Sequence, residues 1–399
     1  MMAAPRARAP AVLFLVNSLG TGGAEKQLVS LCNHLDAGRF GLHLAYLKRN
    51  EQLLPQLERH RLRSLECLDV AHRVDLAALR RLRRLLAEHA IEAIVCTNSY
   101  STLYGHLARS GHRGARPSLA AVFHTTTLRT AGERARMLLY RPLFNRCDRL
   151  IYVCEGQRRH WRAHGMRAEA DEVIYNGIDT RWYSPDPRAQ AQRLEVRGTL
   201  GLGAGDFVIG LCGAFRPEKA HGDLLAAAAT LRSSAIPAKV LLIGDGPERG
   251  AIERRARALG ICGHVVMTGV QRDVRPYIGA CDVMTLVSHA IETFSLAALE
   301  SMSLGKPLVL SDLGGAAEQV LHGEHGFLFP PGDIEALSGH LRALTSPALR
   351  ARMGAAAARR VRERFTLEAM TERFTRTLEG LTRGRDLPRP RAQGLSLPP

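Results

Sequence analysis

No apolar run in this 399-residue chain approaches the ~20 residues needed to cross a bilayer. The eight cysteines form no C-x-x-C pair, and Cys96, Cys154, Cys212 and Cys281 lie in apolar, strand-like runs. That usage points away from a disulfide framework or a zinc site and toward reduced thiols in a cytoplasmic protein. Aromatic residues make up only 5% of the chain. With no helix-turn-helix, zinc or RNA-binding signature either, a nucleic-acid partner is not expected. Lysine occurs five times, so 50 of the 55 basic residues are arginine. There is no Asp-x-Asp triplet, a pair of carboxylates spaced to share a divalent ion.

Positive charge and patterned apolar sequence are abundant. The net charge is +17, and residues 1–190 hold most of it, with 29 Lys/Arg against 17 Asp/Glu. Such a surplus has two readings, a coding bias toward arginine or an anionic partner such as a lipid surface. Short apolar runs at Val12–Val16, Gly41–Leu47, Ala93–Thr97, Ala120–His124 and Arg149–Cys154 alternate with amphipathic stretches at Ala24–His34 and Leu76–His89. Ala11–Val16 follows two arginines but runs straight into a glycine loop, so it reads as a buried strand rather than a signal peptide. The alternation then restarts with Phe207–Cys212, Ala238–Ile243, His264–Thr268, Val283–Val287 and Leu308–Ser311. Strands alternating with helices predict two doubly wound, Rossmann-like α/β domains. The prolines and glycines of Ser184–Gly205 mark the join. We place the first domain at residues 1–188 and the second at 189–364. A last helix at about 365–382 is expected to return to the first domain, and the proline- and arginine-rich stretch 383–399 is expected to be a disordered tail.

The chemistry concentrates in Val283–Gly305, where Glu292 and Glu300 flank a Thr-Phe-Ser turn with seven residues between them. A helix starting near Ser295 would direct the N–H groups of Phe294, Ser295 and Leu296 outward, an arrangement that attracts phosphate. Glu292 would then stand beside the anion and Glu300 beside a hydroxyl-rich group. Further landmarks are Gly22-Gly23-Ala24-Glu25, Asn176-Gly177-Ile178-Asp179, Phe215-Arg216-Pro217-Glu218-Lys219, Leu242-Ile243-Gly244-Asp245-Gly246-Pro247, Gly314-Gly315 and Gly326-Phe327-Leu328. Taken in this order, they resemble the GT4 family of retaining glycosyltransferases over almost the whole chain, with Glu292 and Glu300 matching its E-x7-E signature.

The resemblance implies a GT-B fold, two doubly wound domains facing across a cleft, and transfer of a hexose from a UDP- or GDP-sugar to a hydroxyl acceptor. It implies that Arg216 and Lys219 bind the diphosphate, that Glu292 holds the donor sugar and that Glu300 holds the ribose. It also implies that Gly22 and Gly23 approach the phosphates, that Gly244 and Gly246 form a turn beside the nucleotide, and that His124 stands near the reaction centre. Many relatives carry arginine directly after the glycine of the phosphate segment, where this chain has Ala214. With cations and helix N–H groups aimed at the leaving diphosphate, no metal or other cofactor is expected. A glycolipid or polysaccharide intermediate is the expected acceptor. The segment Leu128–Cys147 carries Arg129, Arg134, Arg136, Arg141 and Arg146 among apolar residues. It reads either as a core helix with a solvated arginine face or as a basic helix resting on a membrane from the cytoplasmic side. Other readings of the fold are a nucleotide-sugar epimerase and a catalytically silent binding scaffold, since architecture alone does not fix function.

Overall fold

The computed structural model describes residues 8–111, 114–126, 130–184, 189–290 and 292–383. The first sheet contains β1 (Ala11–Val16), β2 (Gly41–Tyr46), β3 (Ser64–Cys67), β4 (Ala93–Thr97), β5 (Ser118–Phe123), β6 (Arg149–Tyr152) and β7 (Asp171–Val173). The second contains β8 (Phe207–Cys212), β9 (Ala238–Ile243), β10 (Val265–Met267), β11 (Val283–Leu286), β12 (Leu308–Ser311) and β13 (Gly326–Phe329). The strand orders are β3-β2-β1-β4-β5-β6-β7 and β10-β9-β8-β11-β12-β13. All pairings are parallel, for example Val16 with Tyr46 and Leu211 with Leu242.

The central strands are continuous apolar runs because helices cover both faces of each sheet. All six residues of β1, Ala-Val-Leu-Phe-Leu-Val, are buried. Strand order reverses between β1 and β4 in the first sheet and between β8 and β11 in the second. A ligand crevice opens at the carboxyl ends of strands at such a reversal. The sites are therefore expected at Asn17–Gly23 and Asn98 in one domain, and at Gly213–Lys219 and Ser288–Ser295 in the other. This is the GT-B architecture that the sequence predicts.

Of the expected join Ser184–Gly205, residues 185–188 lie outside the described residues. The helix Ala189–Thr199 belongs to the second unit, because Arg193 and Arg197 both bind Asp282 at 2.8 and 2.7 Å. Near the carboxyl end stand two helices, Pro347–Arg364 and Leu367–Arg383. The second packs on the helix Gly23–His34 and on β4 and β5 of the first sheet, burying Met370, Phe374, Leu378 and Leu381. At the crossing, the Ile178 N–H donates to the Phe365 carbonyl at 3.1 Å and the Leu367 N–H to the Ile178 carbonyl at 2.8 Å. Gly177 permits this contact, since a Cβ there would lie 2.3 Å from the Thr366 carbonyl oxygen. Residues 384–399 of the expected tail lie outside the described residues.

Candidate active site

The phosphate segment follows β8 at the strand reversal. Gly213 donates its N–H to the Ile243 carbonyl, Phe215 donates to Asp245 O, and Glu248 donates to Phe215 O, at 2.9–3.0 Å. The segment and the Gly244–Gly246 turn are thus one backbone unit. Gly244 and Gly246 serve that contact. A Cβ on the first would lie 2.1 Å from Gly213 O, and one on the second 2.5 Å from Phe215 O. Pro217–Lys219 then forms a single 3-10 turn, and Ala220 takes a left-handed φ of 47° before the helix His221–Ser233 begins.

Lys219 Nζ is ion-paired with Glu292 Oε2, and Ser288 Oγ donates to the same oxygen at 3.3 Å. The structure therefore brings together the two residues assigned by resemblance to the diphosphate and to the donor sugar. Arg216, two residues after Ala214, is exposed. Its charge acts on Glu25 of the Gly22–Glu25 loop in the other domain. Burial pushes the Glu25 carboxyl up, and Arg216 partly opposes that shift. Gly22 and Gly23 open the helix Gly23–His34, and Glu25 folds back over Gly22.

Glu300 sits on the helix Leu296–Ser303 and is only 6% exposed. Burial raises its carboxyl, while the charge of Lys26 and a 3.1 Å hydrogen bond from the Tyr183 hydroxyl draw it the other way. A buried carboxylate with one donor keeps lone pairs available for ligand hydroxyls. Ser295 caps this helix, accepting from the Ala298 N–H, and Leu296 is its first residue. One expectation needs correction. The Ser295 amide is not open to phosphate, because it donates to Gln319 Oε1 at 3.2 Å. Gln319 is 1% exposed and also donates its amide to Ser295 O, so its polar groups are satisfied by this turn.

His124 lies one residue past β5 and is half-buried. Burial lowers its imidazole to about 4, so the ring is neutral near pH 7. The His124 backbone N–H donates to Asn98 Oδ1 at 3.0 Å, and the His124 backbone carbonyl accepts from Thr293 Oγ1 at 2.9 Å. Phe294 packs on Tyr175 and Phe365, and its carbonyl accepts from Asn176 Nδ2 at 3.0 Å. Thr293 and Asn176 thus tie the segment that carries Glu292 to the first domain.

Sequence reasoning gave no role to Tyr183, Thr293, Gln319, Glu318 or Asn98. A signal for Tyr183 was present. Asp179 of the Asn176–Asp179 motif caps the next turn, accepting from the N–H groups of Arg181 and Trp182, and this turn places Tyr183 at Glu300. Asn98 has a left-handed φ of 69°, which no residue pattern announces. Among the described residues, no group of three or more His, Cys, Asp or Glu side chains could hold a metal ion, and no helix is long and apolar enough to cross a membrane.

The chain matches two known families in tandem, Glycosyltransferase Family 4 over residues 21–182 and Glycosyl transferases group 1 over residues 192–360. It is 30% identical over 288 residues to a GDP-mannose-dependent alpha-(1-6)-phosphatidylinositol monomannoside mannosyltransferase of Mycolicibacterium smegmatis, a match spanning 69% of this chain and 73% of that one. It is 31% identical over 251 residues to a D-inositol 3-phosphate glycosyltransferase of Rhodococcus erythropolis, spanning 60% of this chain and 55% of that relative. Among solved structures, it resembles Anabaena HepE in complex with UDP, with TM-score 0.81, 24% identity, and coverage of 93% of this chain and 100% of the other. Sucrose-phosphate synthase from Thermosynechococcus elongatus has the same fold, with TM-score 0.77, 18% identity, and coverage of 94% and 100%. The paired family matches, the mannosyltransferase relative and the GT-B fold together establish that this chain belongs to the GT4 glycosyltransferases.

Proposed function

We propose that this protein is a retaining hexosyltransferase that takes its sugar from a UDP- or GDP-sugar and passes it to a hydroxyl of a glycolipid or polysaccharide intermediate at the cytoplasmic membrane surface. The observation that carries the donor assignment is the Lys219–Glu292 pair at the strand reversal of the second sheet, with Glu300 buried on the adjoining helix. Breaking the sugar–phosphate bond places negative charge on the departing diphosphate. Once the donor is bound, Lys219 and Arg216 supply positive charge there without further reorganisation during bond breaking. On donor binding, Lys219 exchanges its contact with Glu292 for phosphate, and Glu292 turns to the sugar hydroxyls. Glu300 accepts from the ribose. The leaving phosphate oxygen takes the acceptor proton on the face from which it departs, so the anomeric configuration is kept. The neutral His124 orients the incoming hydroxyl. The chain has no Asp-x-Asp triplet, and the reading assigns the neutralising charge to side chains rather than to a divalent ion.

The mannosyltransferase relative is named for GDP-mannose, and HepE was solved with UDP-glucose, so both donor types belong in the test. A thermal-shift panel of UDP-, GDP- and ADP-hexoses should show one nucleotide raising the melting temperature by mass action. Lys219→Ala should abolish that shift and slow transfer about 10²–10³-fold. Transfer should survive excess EDTA and give a product with the donor's anomeric configuration by NMR. Loss of activity in EDTA that Mn²⁺ restores would defeat the metal-free reading. Release of a free epimerised sugar without acceptor would identify an epimerase instead.

A further inference from the structure

Glu292 belongs to the second domain and His124 to the first, so the chemistry proposed above needs the two domains held in one register. A single buried side chain links the two residues directly. Thr293, next to Glu292, is 5% exposed. Its hydroxyl donates to the His124 carbonyl at 2.9 Å and accepts from the Thr126 hydroxyl at 3.0 Å. Thr126 is itself 7% exposed. The Thr293 carbonyl is held from both domains as well, accepting from the Gly315 N–H at 2.7 Å and from Cys154 Sγ at 3.5 Å. From this network we infer that Thr293 is a positioning residue, whose hydroxyl sets the donor carboxylate of Glu292 against the acceptor-side His124.

A second contact supports the same register. Glu318, three residues after Gly315, projects its carboxylate onto the start of the helix Glu155–Ala163 in the first domain. Oε2 accepts from the Glu155 N–H and Oε1 from the Gly156 N–H, at 2.9 and 2.6 Å. The Tyr175 hydroxyl also donates to Oε2 at 2.9 Å. A carboxylate at a helix start satisfies otherwise unpaired N–H groups and complements the helix dipole. Thr293 and Glu318 therefore clasp the two domains on either side of the Gly314–Gly315 turn. Removing the Thr293 hydroxyl leaves a buried Thr126 hydroxyl and the His124 carbonyl without their partner, and leaves Glu292 and His124 to find their separation independently.

This inference rests on the donor and acceptor assignment above, so the test has one arm that does not depend on it. Thr293→Val keeps the side chain's shape and removes the hydroxyl, whereas Thr293→Ser keeps the hydroxyl. Thr293→Val should lower kcat about 10²-fold, as small misplacements of reacting groups do. Donor affinity should stay within about twofold of wild type, because Lys219 and Glu300 lie in one domain, a case of lost orientation rather than lost binding. Thr293→Ser should recover most of kcat. Independently of transfer, hydrogen exchange at the Glu155 and Gly156 amides should accelerate in Thr293→Val and not in Thr293→Ser. Unchanged kcat in Thr293→Val, or equal losses in both variants, overturns the positioning role. Unchanged exchange at Glu155 and Gly156 overturns the clasp. Accelerated exchange in a chain that transfers no hexose from any donor supports the clasp and instead overturns the proposed function.

Discussion

Glu300 shows at the scale of one residue how a binding group is kept at the expense of stability. Its carboxyl lies above the usual value of 4.5 because burial disfavours the charge more than Lys26 and Tyr183 restore it. Between 4.5 and that raised value the folded state binds more protons than the unfolded chain, so stability falls as pH rises through this interval. Glu300→Gln removes the cost. Its melting temperature should exceed wild type at pH 7.5, and the gain should shrink as the buffer is brought toward pH 4.5, where the native carboxyl is protonated. Donor stabilisation in the same assay should be weaker, because a neutral amide accepts poorly from two ribose hydroxyls. A variant less stable than wild type at pH 7.5 contradicts this account. At this scale the sequence showed which residues carry charge to the site, and the structure adds the neutral groups that hold them. Glu292, Glu300 and Lys219 stand out because charged groups in and just after strand-to-helix loops are chemically distinctive. Thr293 and Gln319 do not, because a threonine or glutamine acquires its role only from the backbone group it meets.

Among the elements, legibility followed burial. The apolar strands β1, β4, β8, β9 and β12 were readable to within about a residue, within the usual uncertainty of element ends. β3, β7 and β13 were not anticipated. β3 is Ser-Leu-Glu-Cys with all four residues half-buried, and β7 is Asp-Glu-Val, so neither carries the apolar run of a central strand. Each of the three lies at a sheet edge, where one side has no partner strand and the sequence is less constrained. The helix Ala131–Asn145 separates its two sequence readings only in part. It opens with a capping box between Thr130 and Glu133, and Met137 and Phe144 are buried as in a core helix. Yet Leu138 is 60% and Leu139 71% exposed, with Arg134 and Arg136 exposed beside them. Arg129 lies outside the described residues. An exposed apolar pair flanked by two arginines suits an anionic lipid surface, to which each cation contributes on the order of 1 kcal/mol. The protein should therefore co-sediment with phosphatidylserine vesicles and not with neutral ones, and binding should fall steeply with salt. Leu138→Ser with Leu139→Ser, or Arg134→Gln with Arg136→Gln, should each reduce sedimentation without altering donor-induced stabilisation. Equal sedimentation with both vesicle types would return these arginines to the solvated-face reading.

For the molecule as a whole, histidines buried in both domains contribute to an acid limit, His43, His124 and His221 among them. Burial lowers His43, His124 and His221 from 6.5 to about 4, so all three are neutral in the fold and take up protons in the unfolded chain below pH 6.5. Their contribution is complete above pH 6.5 and is lost as pH falls toward 4. The melting temperature should drop across this interval, and His43→Asn with His221→Asn should flatten the drop. An equally steep fall in the double variant would place the acid sensitivity elsewhere. Whole-molecule organisation was legible as two α/β repeats and a returning helix, because strand and helix periods repeat regardless of detailed packing. The contact of Gly177 with Thr366 was not legible, since it joins stretches nearly two hundred residues apart. That return has a temporal side. Residues 367–383 cover β4 and β5 of the first sheet, yet they leave the ribosome after the entire second domain. The first sheet therefore waits for its covering helix until residues 189–364 have been made, so the first domain completes its packing only after the second has emerged.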